Sequence, residues 1–457
     1  MEDAKETQLG LWELNIGGVH PVRTATLVRQ EDASGLQFKR NARAVSLGFW
    51  KNLKSAFLPE GYPNSVTADY LPFQTWDTLQ GLSTYIRSML STQALLGGIG
   101  VGETKATVVG ATFQWFLRDF TGMLGGILFT LYQGSNLDSS AKQWRLAADF
   151  LNDMGMLMDL ISPLFPGSFL TILCIGSVAR AITGTASGAT RAALTQHFAV
   201  RQNAADVQAK EGSQETAATM VGMLLGMVVA RATAGDAVAM WVSFLVLTAF
   251  HMYANYRAVR SLCLTSLNPE RTEILLRSHL RQETVDLPTP KEMSVKERVL
   301  PQLPGQRLFA MWRPGICWRI SFGSRISSLR PRGGWESFTR ILIHQYGRQE
   351  YMVSVEDGVI HVILNSRASV QDCLRAYVHA LRLKEILERS QTGSADTTGA
   401  ERDCLAWMES SYSRFLNLLQ QSGWVNNRIH ISASEWRADW PEQSSGTGKL
   451  DSSSKDD

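Results

Sequence analysis

At 457 residues the chain is long enough for two or three domains, and its formal net charge of +3 is too small to indicate nucleic acid binding, which needs a concentrated basic face. Its five cysteines lie far apart without a CxxC pair, so neither a zinc site nor a disulfide framework is predicted, and a reducing compartment is expected for its soluble parts. The acidic N-terminus, MEDAKETQLGLWELN, lacks the features of a cleavable signal or transit peptide.

Residues 1–47 are polar and mixed in charge, and they predict a peripheral arm. The segment LPEGYPNSVTADYLPFQTWD is rich in proline, glycine and aromatic residues, which indicates an irregular surface stretch. A helix is expected to begin near Asp69 or Pro72, at the end of that stretch.

Apolar runs dominate the chain from there to residue 260. They cover residues 92–117, 120–137, 160–179, 216–230 and 237–254. A helix that crosses the hydrocarbon core needs about 20 apolar residues, with about 17 as a lower limit, so two of the runs qualify and the others are marginal. Residues 48–260 therefore predict a hydrophobic helical domain that crosses a membrane several times.

Small residues and the placement of charges both favour a membrane. Glycines recur four positions apart, a spacing that lets membrane helices approach closely: Gly122 with Gly126, Gly184 with Gly188, and Gly222 with Gly226. In a water-soluble helix each glycine costs about 1 kcal/mol relative to alanine. If the chain crosses the membrane six times, with the first span near residues 67–86, most of its basic residues lie on one side of the membrane, as the positive-inside rule expects. A soluble bundle with tight helix crossings is the alternative.

The last third of the sequence changes character. Residues 261–302 are charged and punctuated by proline, and they predict a linker with a short helix. Residues 303–440 predict a compact α+β domain, because YMVSVEDGVIHVIL reads as two alternating strands joined through Asp357 and Gly358, with amphipathic helices on both sides. Residues 441–457 are low in apolar side chains and predict a disordered tail.

Two glycine-rich motifs do not carry the chemistry that they suggest. GGIGVGETK, residues 97–105, lacks the Lys and Ser or Thr that follow the final glycine of a phosphate-binding loop. GTASG, residues 184–188, has its serine one place too late for a nucleophile elbow. The sequence therefore predicts no nucleotide site and no hydrolase.

Three long segments, in this order, resemble the root UVB-sensitive family. They are GFWKNLKSAFLPEGYPNSVTADYLPFQTWDTLQGL, KQWRLAADFLNDMGMLMDLISPLFP and GATRAALTQHFAVRQNAADVQAKEGSQE. The family is linked in plants to vitamin B6 homeostasis and has interacting members, but no established biochemical activity. The resemblance thus implies a role connected with vitamin B6 and assembly with the chain itself or a relative, and it does not specify a reaction.

The third segment contains the candidate ligand-binding residues, which would fall between two hydrophobic spans. They are Arg191, His197, Arg201 and Lys210. Charged groups are costly there unless they are paired or face water, and a basic pocket suits an anionic small molecule. Because of the family's connection with vitamin B6, a phosphorylated pyridine is one such ligand. An ordinary cytoplasmic loop with positive-inside residues is the alternative.

Two further groups of residues each allow a functional and a plain structural interpretation. Asp149 and Asp153 stand four apart on one helical face with Asn152 between them, which suits cation binding or a proton relay if that face lines a cavity, and a solvated helix otherwise. Arginines alternate with tryptophans over residues 312–335, which suits an anionic bilayer surface, nucleic acid or a solvated sheet face.

The predicted fold is mainly α, with a multi-span helical membrane domain followed by a small soluble α+β domain. We expect a non-enzymatic protein of an intracellular membrane, scaffold-like or transporter-like, without cofactor, metal or nucleic acid. Its expected partners are the lipid bilayer, a second copy or a related chain, and an anionic small molecule. The alternative is a soluble or peripheral protein that binds or handles a vitamin B6 vitamer.

Overall fold

A computed structural model of the protein describes residues 6–15, 22–30, 36–40, 54–99, 108–134, 137–281, 286–300, 318–330, 334–347, 349–390 and 397–440. The chain divides into two compact units. Unit 1 comprises Met1–Leu264 with Arg298–Pro301, and unit 2 comprises Thr265–Glu297 with Gln302–Asp457. The predicted disordered tail, residues 441–457, lies outside the described residues.

Unit 1 begins with a three-stranded antiparallel sheet. Its strands are β1 (Glu6–Asn15), β2 (Val22–Gln30) and β3 (Leu36–Arg40), in the order β1-β2-β3. From the sequence alone, only a polar arm is expected here. In β2 the β-branched residues Val22, Thr24 and Thr26 recur at every second position, a pattern typical of a strand.

Six long helices follow in unit 1. They are α1 (Tyr70–Ile99), α2 (Val108–Gln133), α3 (Ala141–Ile161), α4 (Phe169–Phe198), α5 (Ala204–Ala232) and α6 (Ala237–Ser261). The first begins where the sequence predicts, next to Asp69. The Asp236 carboxylate caps α6 by accepting a hydrogen bond from the Ala239 backbone N–H at 3.0 Å.

Glycines mark the closest helix contacts in unit 1. A Cβ atom on Gly222 of α5 would lie 2.7 Å from Tyr85 Cβ of α1, so only glycine permits this approach. A Cβ atom on Gly226 would likewise lie too close to the Met89 side chain of α1. Gly184 and Gly188 of α4 differ, since a Cβ on either would meet no atom within 4 Å.

Much of the outside of the helical bundle is apolar, and its inside combines apolar clusters with buried polar and charged groups. Exposed apolar side chains cover α2, α5 and α6, whereas arginine, aspartate and histidine side chains lie buried between the helices. Within the described residues, three helical segments are long and apolar enough to cross a membrane: Pro166–Phe198, Ala204–Ala232 and Ala237–Ser261. The sequence analysis predicts six spans, and α3 fails this criterion because it carries several buried charged residues.

Unit 2 combines helices with two small sheets. Its helices are α7 (Pro269–Arg281), α8 (Pro290–Lys296), α9 (Gly334–Tyr346), α10 (Val370–Ser390), α11 (Thr398–Ser410) and α12 (Tyr412–Gln421). Its strands are β4 (Ser266–Leu267), β5 (Arg319–Phe322), β6 (Tyr351–Glu356), β7 (Val359–Leu364) and β8 (Val425–Ile429). The sheets have the orders β5-β7-β6 and β4-β8.

The predicted hairpin is present. Strands β6 and β7 pair in antiparallel orientation. Tyr351 lies opposite Leu364 at one end of the pairing, and Glu356 lies opposite Val359 at the other. Asp357 and Gly358 form the turn with φ of 46° and 77°, the left-handed conformation that a two-residue hairpin loop requires. The local sequence is sufficient to specify this element.

Most of the segment predicted as a linker belongs to the core of unit 2. Leu275 and Leu287 are buried in one cluster with Val378 and Phe415. The Trp424 indole N–H also donates a hydrogen bond to the Pro288 carbonyl oxygen at 2.9 Å. The domain therefore begins near residue 265 and not at 303, because side chains before 303 fill its core.

Candidate functional site

Polar residues form a stripe on each of four helices in unit 1. In α1 they recur as Gln74, Asp77, Thr78 and Thr84, and in α5 as Glu211, Gln214 and Glu215; α3 contributes Arg145, Asp149 and Asn152, and α4 contributes Ser187 and Arg191. Spacings of three, four and seven residues place side chains on one face of a helix. The four stripes face one another and line a common cavity.

The cavity has a volume of about 170 Å³ and lies among α1, α3, α4 and α5. At one end the Arg191 and Glu215 side chains are 33% and 43% exposed. Arg145 and Asp149 also line the cavity, but their side chains are almost fully buried. The cavity thus has a solvent-exposed mouth and a charged, buried floor.

Each arginine of the cavity is held by carboxylates. Arg145 Nη2 lies 2.6 Å from Asp77 Oδ1. Arg191 bridges two residues of α5, with Nε 3.1 Å from Glu211 Oε1 and Nη1 2.9 Å from Glu215 Oε2. These pairs fix the lining side chains without requiring a ligand.

Formal charge in the lining is negative. Four carboxylates face the cavity, from Asp77, Asp149, Glu211 and Glu215, against the two guanidinium groups of Arg145 and Arg191. Asp149 additionally accepts a hydrogen bond from Asn255 Nδ2 at 2.6 Å, which is a neutral partner. With all four carboxylates ionised, the lining therefore favours a cation over an anion.

Two amide groups of the lining have unused hydrogen-bonding capacity. The Gln74 side chain is buried, and its Nε2 has no hydrogen-bond partner among the described residues. Gln214 donates from Nε2 to the Phe57 carbonyl oxygen at 2.6 Å, whereas its Oε1 accepts nothing within the described part of the chain. Both atoms are themselves fully buried, so each leaves a hydrogen bond unmade among the described residues, and neither presents accessible surface to the cavity.

A second buried polar network adjoins the cavity through Gln80. Arg87 Nη1 lies 2.6 Å from Asp153 Oδ1, and His251 Nδ1 lies 2.9 Å from Asp153 Oδ2. Gln80 lines the cavity and places its Nε2 2.7 Å from His251 Nε2. A neutral imidazole satisfies both contacts, since it accepts from Gln80 and donates its Nδ1 proton to Asp153.

Of the four predicted ligand-binding residues, the structure places only Arg191 in the lining of this cavity. His197 instead pairs with Asp69, with Nε2 2.9 Å from Oδ2, and Lys210 lies 3.7 Å from Asp206 within α5. Arg201 is exposed on the connection between α4 and α5. The structure thus separates the predicted set, and its ligand-binding role stays a prediction.

The alternative of a plain loop is wrong for most of this set, because Arg191 and His197 lie in α4 and Lys210 lies in α5. The solvated-helix interpretation of Asp149 and Asp153 is also wrong, because both are buried. Asp149 and Asn152 line the cavity, as the functional interpretation requires, while Asp153 belongs to the adjoining network.

Most of the lining, including Gln74, Asp77, Glu211 and Glu215, was not predicted from the sequence. For Gln74 and Asp77 the spacing of polar residues along a helix was an available signal of an inward face, whereas Glu211 and Glu215 lie in a densely polar segment that hides such a pattern. The arginine and tryptophan pattern of residues 312–335 lies partly outside the described residues. In its described part Trp318 is buried, and the Arg325 guanidinium stacks 3.7 Å from the Trp436 ring centroid.

Comparison with known proteins supplies a family context for this site. Residues 44–283 match a family model described as the vitamin B6 photo-protection and homoeostasis domain, and residues 309–440 match one described as the root UVB sensitive protein C-terminal region. All residues of the cavity lie within the first match. No solved structure matches the chain.

Curated relatives extend over most of the chain. Protein root UVB sensitive 3 of Arabidopsis thaliana is 51% identical over 418 residues, which cover 92% of each chain. RUS family member 1 of Dictyostelium discoideum is 45% identical over 55% of this chain and 48% of its own length. Protein root UVB sensitive 2, chloroplastic, of Arabidopsis thaliana is 26% identical over 85% of each.

Proposed function

The chain belongs to the root UVB-sensitive family, and from that premise we propose that it is a helical membrane protein whose polar cavity binds a small solute in a transporter-like way. The observation that carries the proposal is the distribution of side chains in unit 1. Much of its outer surface on α2, α5 and α6 is apolar, and its interior contains ion pairs and a polar cavity beside apolar clusters.

The apolar outer surface of the helices supports membrane insertion. On α6, Val238, Val242 and Val246 repeat every fourth residue and are all exposed, and α2 and α5 expose comparable rows. Contiguous apolar patches of this kind normally mark an interaction or membrane surface. A bilayer removes the cost, because lipid tails are as apolar as the side chains that they contact.

The polar interior supports a solute-binding role. Ionisable residues within membrane segments face the bundle interior or a water-filled cavity, pair with one another, and mark substrate or proton pathways. Arg145 with Asp77, and Arg87 with Asp153, follow this rule. Our proposal for this cavity is a non-enzymatic function, the binding of a solute.

The family context selects the first solutes to test. The domain matched by residues 44–283 is described in terms of vitamin B6, so vitamers and their phosphate esters are the starting panel. Localisation in an organelle membrane is part of the proposal, in keeping with the chloroplastic relative. Assembly with a second copy or a related chain stays a prediction, for which the open face at Gly184 and Gly188 offers a close-packing surface.

Alkaline carbonate extraction tests the membrane proposal directly. The full chain, expressed in a eukaryotic host, is expected to remain in the membrane pellet together with an integral marker protein. Glycosylation sites placed before and after α6 are expected to report opposite sides of the membrane. Release of the chain by carbonate would instead favour the rival proposal of a peripheral protein that handles a vitamin B6 vitamer.

A further inference from the structure

We propose that His251 is a proton-binding site in the interior of unit 1, and that its protonation reverses the side-chain amide of Gln80, which lines the cavity. A proton bound at His251 thereby changes the hydrogen-bonding group that the cavity presents to a solute. The inference rests on the proposed function for the role of the cavity, whereas proton binding itself is measurable without a solute.

His251 lies on α6 and contacts side chains from two other helices. Its side chain is fully buried, with Nδ1 2.9 Å from Asp153 Oδ2 of α3 and Nε2 2.7 Å from Gln80 Nε2 of α1. Asp153 also pairs with Arg87 Nη1 of α1 at 2.6 Å. The imidazole thus joins three helices, and both of its ring nitrogens have partners.

The contact with Gln80 can serve either protonation state of the imidazole. In the neutral ring, Nδ1–H donates to Asp153, and Nε2 accepts from the amide N–H of Gln80. In the imidazolium both ring nitrogens donate, so the amide must turn by about 180° and present its Oε1 to the ring. The two ends of an amide are nearly equal in size and shape, so this exchange requires no other heavy atom to move.

Gln80 connects the imidazole to the cavity, because the same side chain lines the cavity and contacts His251. Unlike Gln74 Nε2 and Gln214 Oε1, neither amide atom of Gln80 is a fully buried group without a partner among the described residues. The end of the amide turned away from His251 is the carbonyl oxygen when the ring is neutral and the N–H group when the ring is charged. Protonation therefore exchanges an acceptor for a donor in the lining.

The charges around His251 favour one additional proton. Of the helices in contact with the ring, α1 contains Asp77 and Arg87, and the middle of α3 contains Arg145, Asp149 and Asp153. Three carboxylates and two guanidinium groups leave one net negative charge beside a neutral ring, and an imidazolium cancels it. A buried net charge is costly, so this balance favours protonation of the ring.

The remaining charged side chains of α3 and α6 have other partners. Lys142 and Asp159, near the ends of α3, contact the Leu262 carbonyl oxygen and Arg180. At the C-terminal end of α6, two arginines stack on aromatic rings: Arg257 on Trp76 and Arg260 on Tyr256. These groups therefore do not alter the charge count around the imidazole.

Asp149 is the carboxylate without a close cationic partner. Arg145 Nη2 lies 2.6 Å from Asp77, whereas its Nε lies 3.9 Å from Asp149. Asp149 accepts a hydrogen bond from Asn255 Nδ2 at 2.6 Å, and Asn255 is one helical turn after His251. The excess negative charge thus lies close to the imidazole, which makes Asp149 the rival site for the same proton.

Infrared difference spectroscopy of the full chain in lipid nanodiscs tests proton binding without a solute. Spectra are compared at about pH 5.5 and about pH 8, on either side of the range in which an ordinary histidine titrates, with ¹⁵N-labelled histidine to identify the ring bands. The wild-type chain is expected to show imidazolium bands at the lower pH together with a shift of a side-chain amide carbonyl band. Ring bands that change without an amide shift would overturn the coupling between His251 and Gln80.

Two substitutions assign these bands. His251→Gln is expected to remove the amide shift together with one histidine's share of the ring bands, and Gln80→Leu is expected to remove the amide shift alone. His197→Gln replaces another buried histidine that pairs with an aspartate, so it is the matched control and should retain the amide shift. Retention of the shift in either test variant overturns the inference. If one of them does not fold, the other decides, because each removes one partner of the same contact.

Asp149→Asn distinguishes the rival proton site. The amide shift should persist in this variant. A carboxylic acid band that disappears with Asp149, while the histidine bands stay constant with pH, would assign the proton to the carboxylate and overturn the inference.

The outcome is also separate from that of the proposed function. A chain that shows the amide shift but binds no vitamin B6 vitamer in calorimetry retains this inference and loses the proposed solute. A chain that binds a vitamer without the amide shift retains the solute and loses this inference.

Discussion

Unit 1 and unit 2 present opposite surfaces to their surroundings. In unit 1 the buried groups include Arg87, Asp153 and His251, and the outer faces of the helices are apolar. In unit 2 the core is built from residues such as Leu275 and Phe415, which are fully buried, and most charged side chains lie outside. Water favours an apolar core, and the lipid environment that we propose for unit 1 would favour an apolar exterior.

Buried charge by itself does not distinguish the units. Unit 2 also contains a buried ion pair, Arg271 with Glu297 at 2.8 Å. Its surface, however, carries exposed pairs such as Arg277 with Glu273, which are typical of a solvated helix. Because both units bury ion pairs and only their outer surfaces differ, the outer surface is the better indicator of the solvent around a unit.

The largest expected effect concerns where unit 2 begins. A fragment of residues 265–440 should melt cooperatively, whereas residues 303–440 should not, because the shorter fragment loses Leu275, Leu287 and Met293 from its core. Circular dichroism and near-ultraviolet spectra of both fragments against temperature provide the measurement. Equal cooperative melting would show that α7 and α8 are dispensable, as the linker prediction implies.

The second-largest expected effect is the loss of stability when the buried ion pair of unit 1 is broken. Asp153→Asn should destabilise the protein by about 3–5 kcal/mol, because Arg87 is left buried without its counter-charge. The double variant Arg87→Met with Asp153→Leu should be less destabilised than Asp153→Asn, since no charge is left unpaired. Thermal melting in detergent measures both, and Glu388→Gln at a partly exposed pair in unit 2 serves as the control. A loss below about 1 kcal/mol in Asp153→Asn would contradict a dry interior.

A lysine substitution on the outer face of α6 tests whether the two units face different solvents. Val246 is 62% exposed near the middle of α6, and Val370 of unit 2 is 46% exposed. In a bilayer Val246→Lys should cost about 3 kcal/mol of insertion free energy, whereas Val370→Lys should change stability by less than about 0.5 kcal/mol. Membrane-fraction yield and glycosylation of flanking sites report the effect. Equal behaviour of the two variants would place both surfaces in water.

The smallest effect is the response of unit 2 to acid. Burial, with the charge of Arg375 as a lesser cause, lowers the pKa of His379 to about 3. The unfolded chain therefore binds more protons than the folded one between about pH 6.5 and pH 3, so stability falls as pH falls through that window. Between pH 6 and pH 4.5 the loss from this group is about 2 kcal/mol, since one proton corresponds to about 1.4 kcal/mol for each pH unit.

Denaturant unfolding of the 265–440 fragment at several pH values measures this dependence. His379→Phe should flatten the curve in the same window, although it also removes the contact between Tyr351 Oη and His379 Nδ1. An unchanged slope in this variant would assign the acid response to other groups.

Much of the architecture follows from local sequence. The apolar runs predict long helices, and α1, α4, α5 and α6 occupy the expected region. The turn at Asp357 and Gly358 is specified by two residues that tolerate positive φ. Three long segments are enough to place the chain in its family, because order and length make such a match specific.

Tertiary structure alone decides which polar faces meet. Helical spacing places Asp149 and Asp153 on one side of α3, but nothing local reveals that His251, 98 residues after Asp153, supplies its partner. Local sequence also does not distinguish Arg191 from Lys210. Arg191 lines the cavity, whereas Lys210 lies beside Asp206 and does not. Periodicity determines the face of a helix, whereas the rotation and neighbours of that helix depend on side chains distant in the chain.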